Sequence, residues 1–170
     1  MNSSPAPLEV TRRTRHIPFS PRALYRTMAV AEAVTWTLLI AGMVLKYALQ
    51  AGGLGVQVGG FLHGLVFLAY AMAAVFVGVN QRWSARLMGA AVVSAVVPYA
   101  TIPFGRWLER RQRLDGPWRT TGTDDPRDRG VLDTLLRWVL NRPVLLVVLF
   151  VVGLTIVMAT LLVIGPPGGR

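Results

Sequence analysis

The stretch VLKYALQAGGLGVQVGGFLHGLVF, residues 44–67, decides the fold. Gly52, Gly53 and Gly55 lie near its centre and permit a sharp reversal, because glycine reaches backbone conformations closed to other residues. On either side the chain is apolar over a long distance, from Met28 to Leu49 before the glycines and from Val56 to Val79 after them. Each run exceeds the roughly 18 residues that mark a membrane-spanning helix. So short a connection makes the two helices an antiparallel hairpin.

Two further apolar runs follow, Leu87 to Phe104 and Val144 to Ile164. The expected class is all-α: a polytopic helical membrane protein with a three-segment N-terminal core and a C-terminal transmembrane helix. The 170 residues are 53% hydrophobic yet carry a net charge of +10, and 17 of the 18 basic residues are arginine. Those arginines lie outside the runs: Arg12, Arg13, Arg15, Arg22 and Arg26 before the first, Arg82 and Arg86 between the second and third, and a series from Arg106 to Arg142. Cationic flanks of this kind mark the cytoplasmic face, so the expected location is the plasma (inner) membrane with the N-terminus cytoplasmic. Nucleic-acid modules carry their charge on a solvated face beside a modest core, so the basicity is read as topology and contact with anionic lipid headgroups, not as nucleic-acid binding. The first run is longer than the roughly 7 to 15 apolar residues of a signal peptide and is read as a retained helix.

The expected organisation is a basic tail at 1–22, a membrane core at 23–112, a polar linker at 113–130, an interfacial helix at 131–141 and a C-terminal span at 142–165. Ser20 before Pro21 is a plausible helix start, and Pro143 suits the first turn of the last span. The linker holds four arginines and four aspartates, with Gly, Pro and Thr throughout. Beyond it, Asp133, Arg137 and Asn141 form a polar stripe at helical spacing, in which Asp133 and Arg137 can pair and Asn141 can cap the last span. The third segment is the least regular of the four runs, because Pro98 and Pro103 interrupt it and Ser94, Tyr99 and Thr101 make its second half less apolar. Read as a kinked spanning helix, which is the expectation, it sends the later arginines to the wrong side. Read as a re-entrant turn broken at Pro98, the alternative, it keeps them on the same side as the others.

Ionisable groups inside a span cost about 2.5 to 3.5 kcal/mol at its centre, so Glu32, Lys46 and His63 need a reason. At ~1.5 Å per residue, Lys46 lies about 12 Å from the midplane of the first helix and His63 about 7 to 8 Å from that of the second, on the same side. Lys46 can snorkel to the headgroups. His63 is expected to bond across the hairpin, to a main-chain carbonyl or Tyr47. Glu32 lies about 9 Å towards the cytoplasmic end and is too short to snorkel. On one α-helix Glu32 and Lys46 share a face, so Glu32, Lys46 and His63 form a candidate intramembrane polar face, either a packing seam or a proton-linked path. Gly60 and Gly64, four residues apart, are candidates for close helix packing.

The chain has no cysteine, which excludes disulfides and thiolate metal sites. Neither a nucleophile, base and orienter set nor a phosphate-binding glycine loop is present, so no catalytic residue, cofactor or metal is assigned.

The segments AEAVTWTLLIAGMVLKY, GGFLHGLVFLAY and RWSARLMGAAVVSAVVPYATIPFGRWLERR together resemble the small bacterial integral membrane proteins of unknown function marked by a His-Gly motif. The resemblance rests on Ala31 and Glu32, on Leu45 to Tyr47, and on His63 with Gly64, over about residues 24–113. It departs where Pro103-Phe104-Gly105 follows Pro98 at a distance. The resemblance implies a membrane location and a helical core. It implies no activity. The expected function is that of a non-enzymatic accessory or structural subunit of a membrane complex, with a membrane-protein partner or a homo-oligomer. The alternative is a small oligomeric transporter or channel.

Overall fold

The computed structural model describes residues 19–123, 128 and 130–164. The greater part of the basic tail expected at 1–22 lies outside these residues. Helix α1 spans Pro21–Met43 and continues through a π-helical turn, Val44–Ala48. Ser20 caps α1, its hydroxyl accepting from the Ala23 amide at 3.1 Å, and Pro21 takes the first turn, where a missing N–H costs nothing. After the glycine reversal, α2 runs Leu54–Asn80, followed by α3 (Ala85–Ser94), α4 (Thr101–Arg110), α5 (Val131–Leu140) and α6 (Pro143–Ile164). Three of them, α1 with its π turn, α2 and α6, are long and apolar enough to cross a membrane. No strand occurs among the described residues.

The hairpin of α1 and α2 is the frame. A Cβ on Gly42 would fall 2.5 Å from the Gly55 carbonyl carbon, and one on Gly59 would fall 2.9 Å from the Leu38 oxygen, so here the two backbones touch. The expectation for Gly60 and Gly64 is corrected by this register. Gly60 only meets the Leu39 side chain at 3.8 Å, and Gly64 meets Met158 of α6 at 3.9 Å. The backbones meet instead at Gly55 and Gly59, a pair five residues earlier on α2 than Gly60 and Gly64.

The third segment does not span. α3 climbs from the arginine-bearing end of the hairpin: Met88 packs on Gly78, the Ala91 carbonyl accepts from the Tyr70 hydroxyl at 3.1 Å, and the Ala95 carbonyl accepts from the Trp36 indole at 3.2 Å. The chain turns beside Thr37, whose hydroxyl lies 3.2 Å from that of Tyr99. Then α4 descends antiparallel to α1, from Thr101 at Glu32, past Gly105 against the Tyr25 ring, to Asp115, which pairs with Arg22. The spanning expectation is thus replaced by the re-entrant alternative, for a physical reason. In the turn, Pro98 follows Val97, Tyr99 has φ +64°, and the Ala100 amide closes on the Val97 carbonyl at 3.1 Å, the residue pattern of a type II turn. Two carbonyls at the break, those of Ala95 and Ala91, are taken by Trp36 and Tyr70 from the hairpin, as non-helical backbone at membrane depth requires. Pro103 falls in the first turn of α4 and does no harm there.

Every arginine among the described residues consequently lies at one end of the molecule, and the charge conflict of a third crossing disappears. From this end α6 runs antiparallel to α2, with Gly153 against Met72 and Met158 against Gly64.

Candidate functional site: a buried polar seam

The polar residues of the core meet where α1, α2 and the re-entrant turn converge. Glu32 is 0% exposed. Its Oε2 accepts from the Thr101 hydroxyl at 2.7 Å, and its Oε1 has no hydrogen-bond partner among the described residues. Thr101 also lies 3.2 Å from the Ala29 carbonyl, so one hydroxyl joins α4 to a carboxyl and a main-chain oxygen of α1. One turn further along α1, Thr35 donates its single proton to the Glu32 carbonyl at 2.9 Å. The same oxygen lies 3.2 Å from Nδ1 of His63, so this one hydroxyl links α1 to α2. The His63 ring is 8% exposed and packs against the Trp36 indole at 4.3 Å between centroids.

A second chain lies nearer the arginine end. The Tyr70 hydroxyl gives its proton to the Ala91 carbonyl, so the Tyr25 hydroxyl donates to Tyr70 at 2.6 Å, and Ser94 lies 3.3 Å from the same oxygen. Tyr25 meets Tyr70 and Trp83 edge-on at centroid distances of 5.6 and 5.9 Å, as aromatic quadrupoles prefer. These contacts knit α1, α2 and α3 where sequence reading placed only lipid-length helices.

Of the three ionisable residues expected on one face, the structure brings Glu32 and His63 into the same seam and leaves Lys46 out. His63 opposes Thr35, eleven positions before Lys46, and among the described residues it bonds to neither Tyr47 nor a carbonyl. Lys46 is half-buried within the π turn, its ammonium 5.0 Å from the centre of the Tyr47 ring. The Leu49 amide reaches back to the Val44 carbonyl, so the α-helical register behind a shared face ends before Lys46. Thr35, Trp36, Tyr70 and Thr101 join the site without having been singled out for it. The signal available in sequence was the loss of oiliness around Ser94 and Thr101.

The stretch expected as a plain linker is a strap over the end of α2. Asn80 and Gln81 donate to the carbonyls of Pro117 and Gly116 at 3.0 and 2.7 Å, while Arg119 donates to those of Asn80 and Val79 at 2.6 and 2.7 Å. An arginine on terminal helix carbonyls is favourable in charge as well as in hydrogen bonding. Asp128 collects the surrounding groups: Arg82 pairs with it, Arg119 and Arg137 approach its Oδ1 at 3.3 and 3.6 Å, and its Oδ2 accepts from the Thr123 amide and hydroxyl at 2.8 and 2.6 Å. The two Thr123 bonds first, and then Arg82, hold its pKa down at about 2. The expected Asp133–Arg137 pair is not the one formed. Asp133 binds Arg119, Arg137 donates to the Asp128 carbonyl, and Asn141 donates to Thr120 instead of capping α6. Residues 124–127 and 129 of this stretch lie outside the described residues.

Among the described residues no three His, Cys, Asp or Glu side chains gather as a metal ion would need. The geometry defines a helical membrane protein in which a two-helix frame holds a re-entrant hairpin through buried polar bonds. Residues 22–110, just over half of the chain, match the family described as a domain of unknown function, DUF3817, and the chain belongs to that family. It is also 41% identical over 91 residues to SCO5905 of Streptomyces coelicolor, a protein named, by inference, as a membrane protein. The matched stretch is 53% of this chain and 11% of that relative, so the chain spans a small fraction of the relative's length. No solved structure matches. The chain is a multi-pass membrane protein, and the match ends where the strap begins.

Proposed function

We propose that the protein is a non-enzymatic accessory or structural component of a larger plasma-membrane assembly, with its arginine-bearing end in the cytoplasm and anionic headgroups around it. The observation that carries this reading is how the seam is used: Thr35, Trp36, His63, Tyr70 and Thr101 all spend their polar groups between elements of the same protomer. A polar set consumed in this way positions a fold. Glu32 and His63 are enclosed, so a partner meets the outer helix surfaces and not the seam itself. The match of the core to a small part of a longer membrane protein agrees with a module that works beside other membrane segments.

The test is purification from native membranes in gentle detergent followed by native mass spectrometry. A different protein at fixed ratio is the expected result. A pure homo-oligomer would sink the subunit reading and favour a small oligomeric transporter with a proton-linked path. One observation supports that second reading, the enclosed Glu32 Oε1 with no partner among the described residues. In proteoliposomes the transporter reading requires a proton flux that Glu32→Gln abolishes.

A further inference from the structure

We propose that the cleft between α1 and α4 at the arginine end binds the phosphoethanolamine headgroup of a membrane phospholipid. The cleft encloses about 130 Å³, space on the order of four water molecules. Its α1 wall presents Arg26, Ala29 and Val30, and its α4 wall presents Ile102, Gly105, Arg106 and Glu109. Each set follows the spacing of a single helix face. Gly105 and Ala29 leave the room, being too small to close the gap.

The order of these residues along the two helices gives the cleft a direction. Because α4 descends antiparallel to α1, Arg26, Arg106 and Glu109 lie at the outer end, while Val30 and Ile102 lie deeper along the same walls. Thr101 also lines the deep end, but its hydroxyl is spent on Glu32, so charge gives way to uncharged groups in the direction in which a phospholipid passes from headgroup to acyl chain. Trp107 and Trp138, both exposed at this end, are the residues that favour headgroup depth.

The charges select the headgroup. Arg26 and Arg106 are exposed and form no ion pair among the described residues, so both guanidinium groups are free for a phosphodiester, which arginine binds through paired N–H donors. Glu109 lines the same cleft and likewise has no ion-pair partner among the described residues. A carboxylate beside two arginines repels a purely anionic ligand, but it is the complement of an ammonium carried next to the phosphate. Phosphatidylglycerol brings no cation to Glu109. The quaternary ammonium of phosphatidylcholine has no N–H to donate to it. Free phosphate leaves both Glu109 and the apolar end of the cleft unused.

The experiment uses the full chain in nanodiscs containing equal amounts of phosphatidylethanolamine, phosphatidylglycerol and phosphatidylcholine with matched acyl chains. Lipid retained after detergent transfer is read by native mass spectrometry. The wild type is expected to keep phosphatidylethanolamine, and Arg26→Gln with Arg106→Gln to lower that retention roughly tenfold. Glu109→Gln has a separate readout: it should keep a bound lipid but lose the preference for phosphatidylethanolamine over phosphatidylglycerol. Wild type retaining phosphatidylglycerol equally or better would overturn the proposal, and so would retention indifferent to the two arginines. Displacement of the lipid by inorganic phosphate would show a free-anion site and overturn it as well. None of these outcomes bears on whether a partner protein co-purifies.

Discussion

Helices α2 and α6 lie antiparallel, Met72 against Gly153 and Met158 against Gly64, and both are long and apolar enough to cross a membrane. α2 has the lower mean hydropathy over its window, 2.1 against 3.0, and a third of that window is buried, whereas none of the α6 window is. The difference lies in where their polar groups go. His63, Tyr70 and Asn80 of α2 reach Thr35, Ala91 and Pro117 on other elements, but Thr155 and Thr160 of α6 donate to the carbonyls of Val151 and Ile156 one turn back. A hydroxyl satisfied on its own helix asks for no neighbour, while an imidazole or phenol in hydrocarbon must find one and thereby fixes the packing.

The comparison breaks outright if α6 does not cross. The chain has no cysteine, so single cysteines introduced at Gln50, Arg111 and Val163 give clean labels in sealed vesicles. Gln50→Cys and Val163→Cys should react from one side and Arg111→Cys from the other, all or none. Labelling of Val163→Cys together with Arg111→Cys would remove α6 from the membrane. Labelling of Arg111→Cys with Gln50→Cys would restore a spanning third segment.

Stability should separate the two helices next. Gly59→Leu drives a side chain into the Leu38 carbonyl and is expected to cost about 3 kcal/mol in reversible unfolding, whereas Gly153→Ala meets only the flexible end of Met72 and should stay within about 0.5 kcal/mol. Equal costs would mean that α6 is packed as tightly as α2. Thr101→Val keeps the shape but strips Glu32 of its donor, with an expected loss of about 1 to 3 kcal/mol. A neutral result would show that the seam does not hold the re-entrant turn.

The smallest effect belongs to the strap. The pKa of Asp128, lowered from an ordinary 3.8 to about 2, means that the folded state favours the ionised form. Its contribution is therefore fully present above about pH 4 and is lost as pH falls through 2. The Thr123 amide resonance should report a midpoint near 2 on acid titration, and Asp128→Asn should speed hydrogen exchange over 113–123 at neutral pH. A midpoint near the ordinary value would show that the cluster does not hold in solution.

Much of the core was legible because the bilayer imposes length. The runs flanking Gly52 and Gly53 admit little besides a helical hairpin, and Ser20 and Pro143 mark helix starts by local chemistry alone. Glu32 and His63 were legible as residues that need a partner, since burying them is costly wherever they point. Their partners were not. Thr101 is 69 positions from Glu32 and Ala95 is 59 from Trp36, and no periodicity within one helix encodes such a separation. Lys46 shows the converse, because its apparent place on the Glu32 face assumed an unbroken α-helix that the π turn interrupts. The strap read as a linker because interspersed Arg and Asp on a polar stretch look solvated until Asp128 is seen to gather Arg82, Arg119 and Arg137.

By itself, the sequence determined a basic, all-helical membrane protein, its hairpin and the residues that could not face lipid unassisted, because hydrophobic length and the cost of a buried charge are properties of short segments. Only the tertiary structure decided that the third segment turns back, that the backbones meet at Gly42, Gly55 and Gly59, and that His63 joins Glu32 and not Lys46. Those outcomes depend on which carbonyl or carboxyl lies within hydrogen-bond reach across a helix boundary, and that distance exists only once the helices are packed.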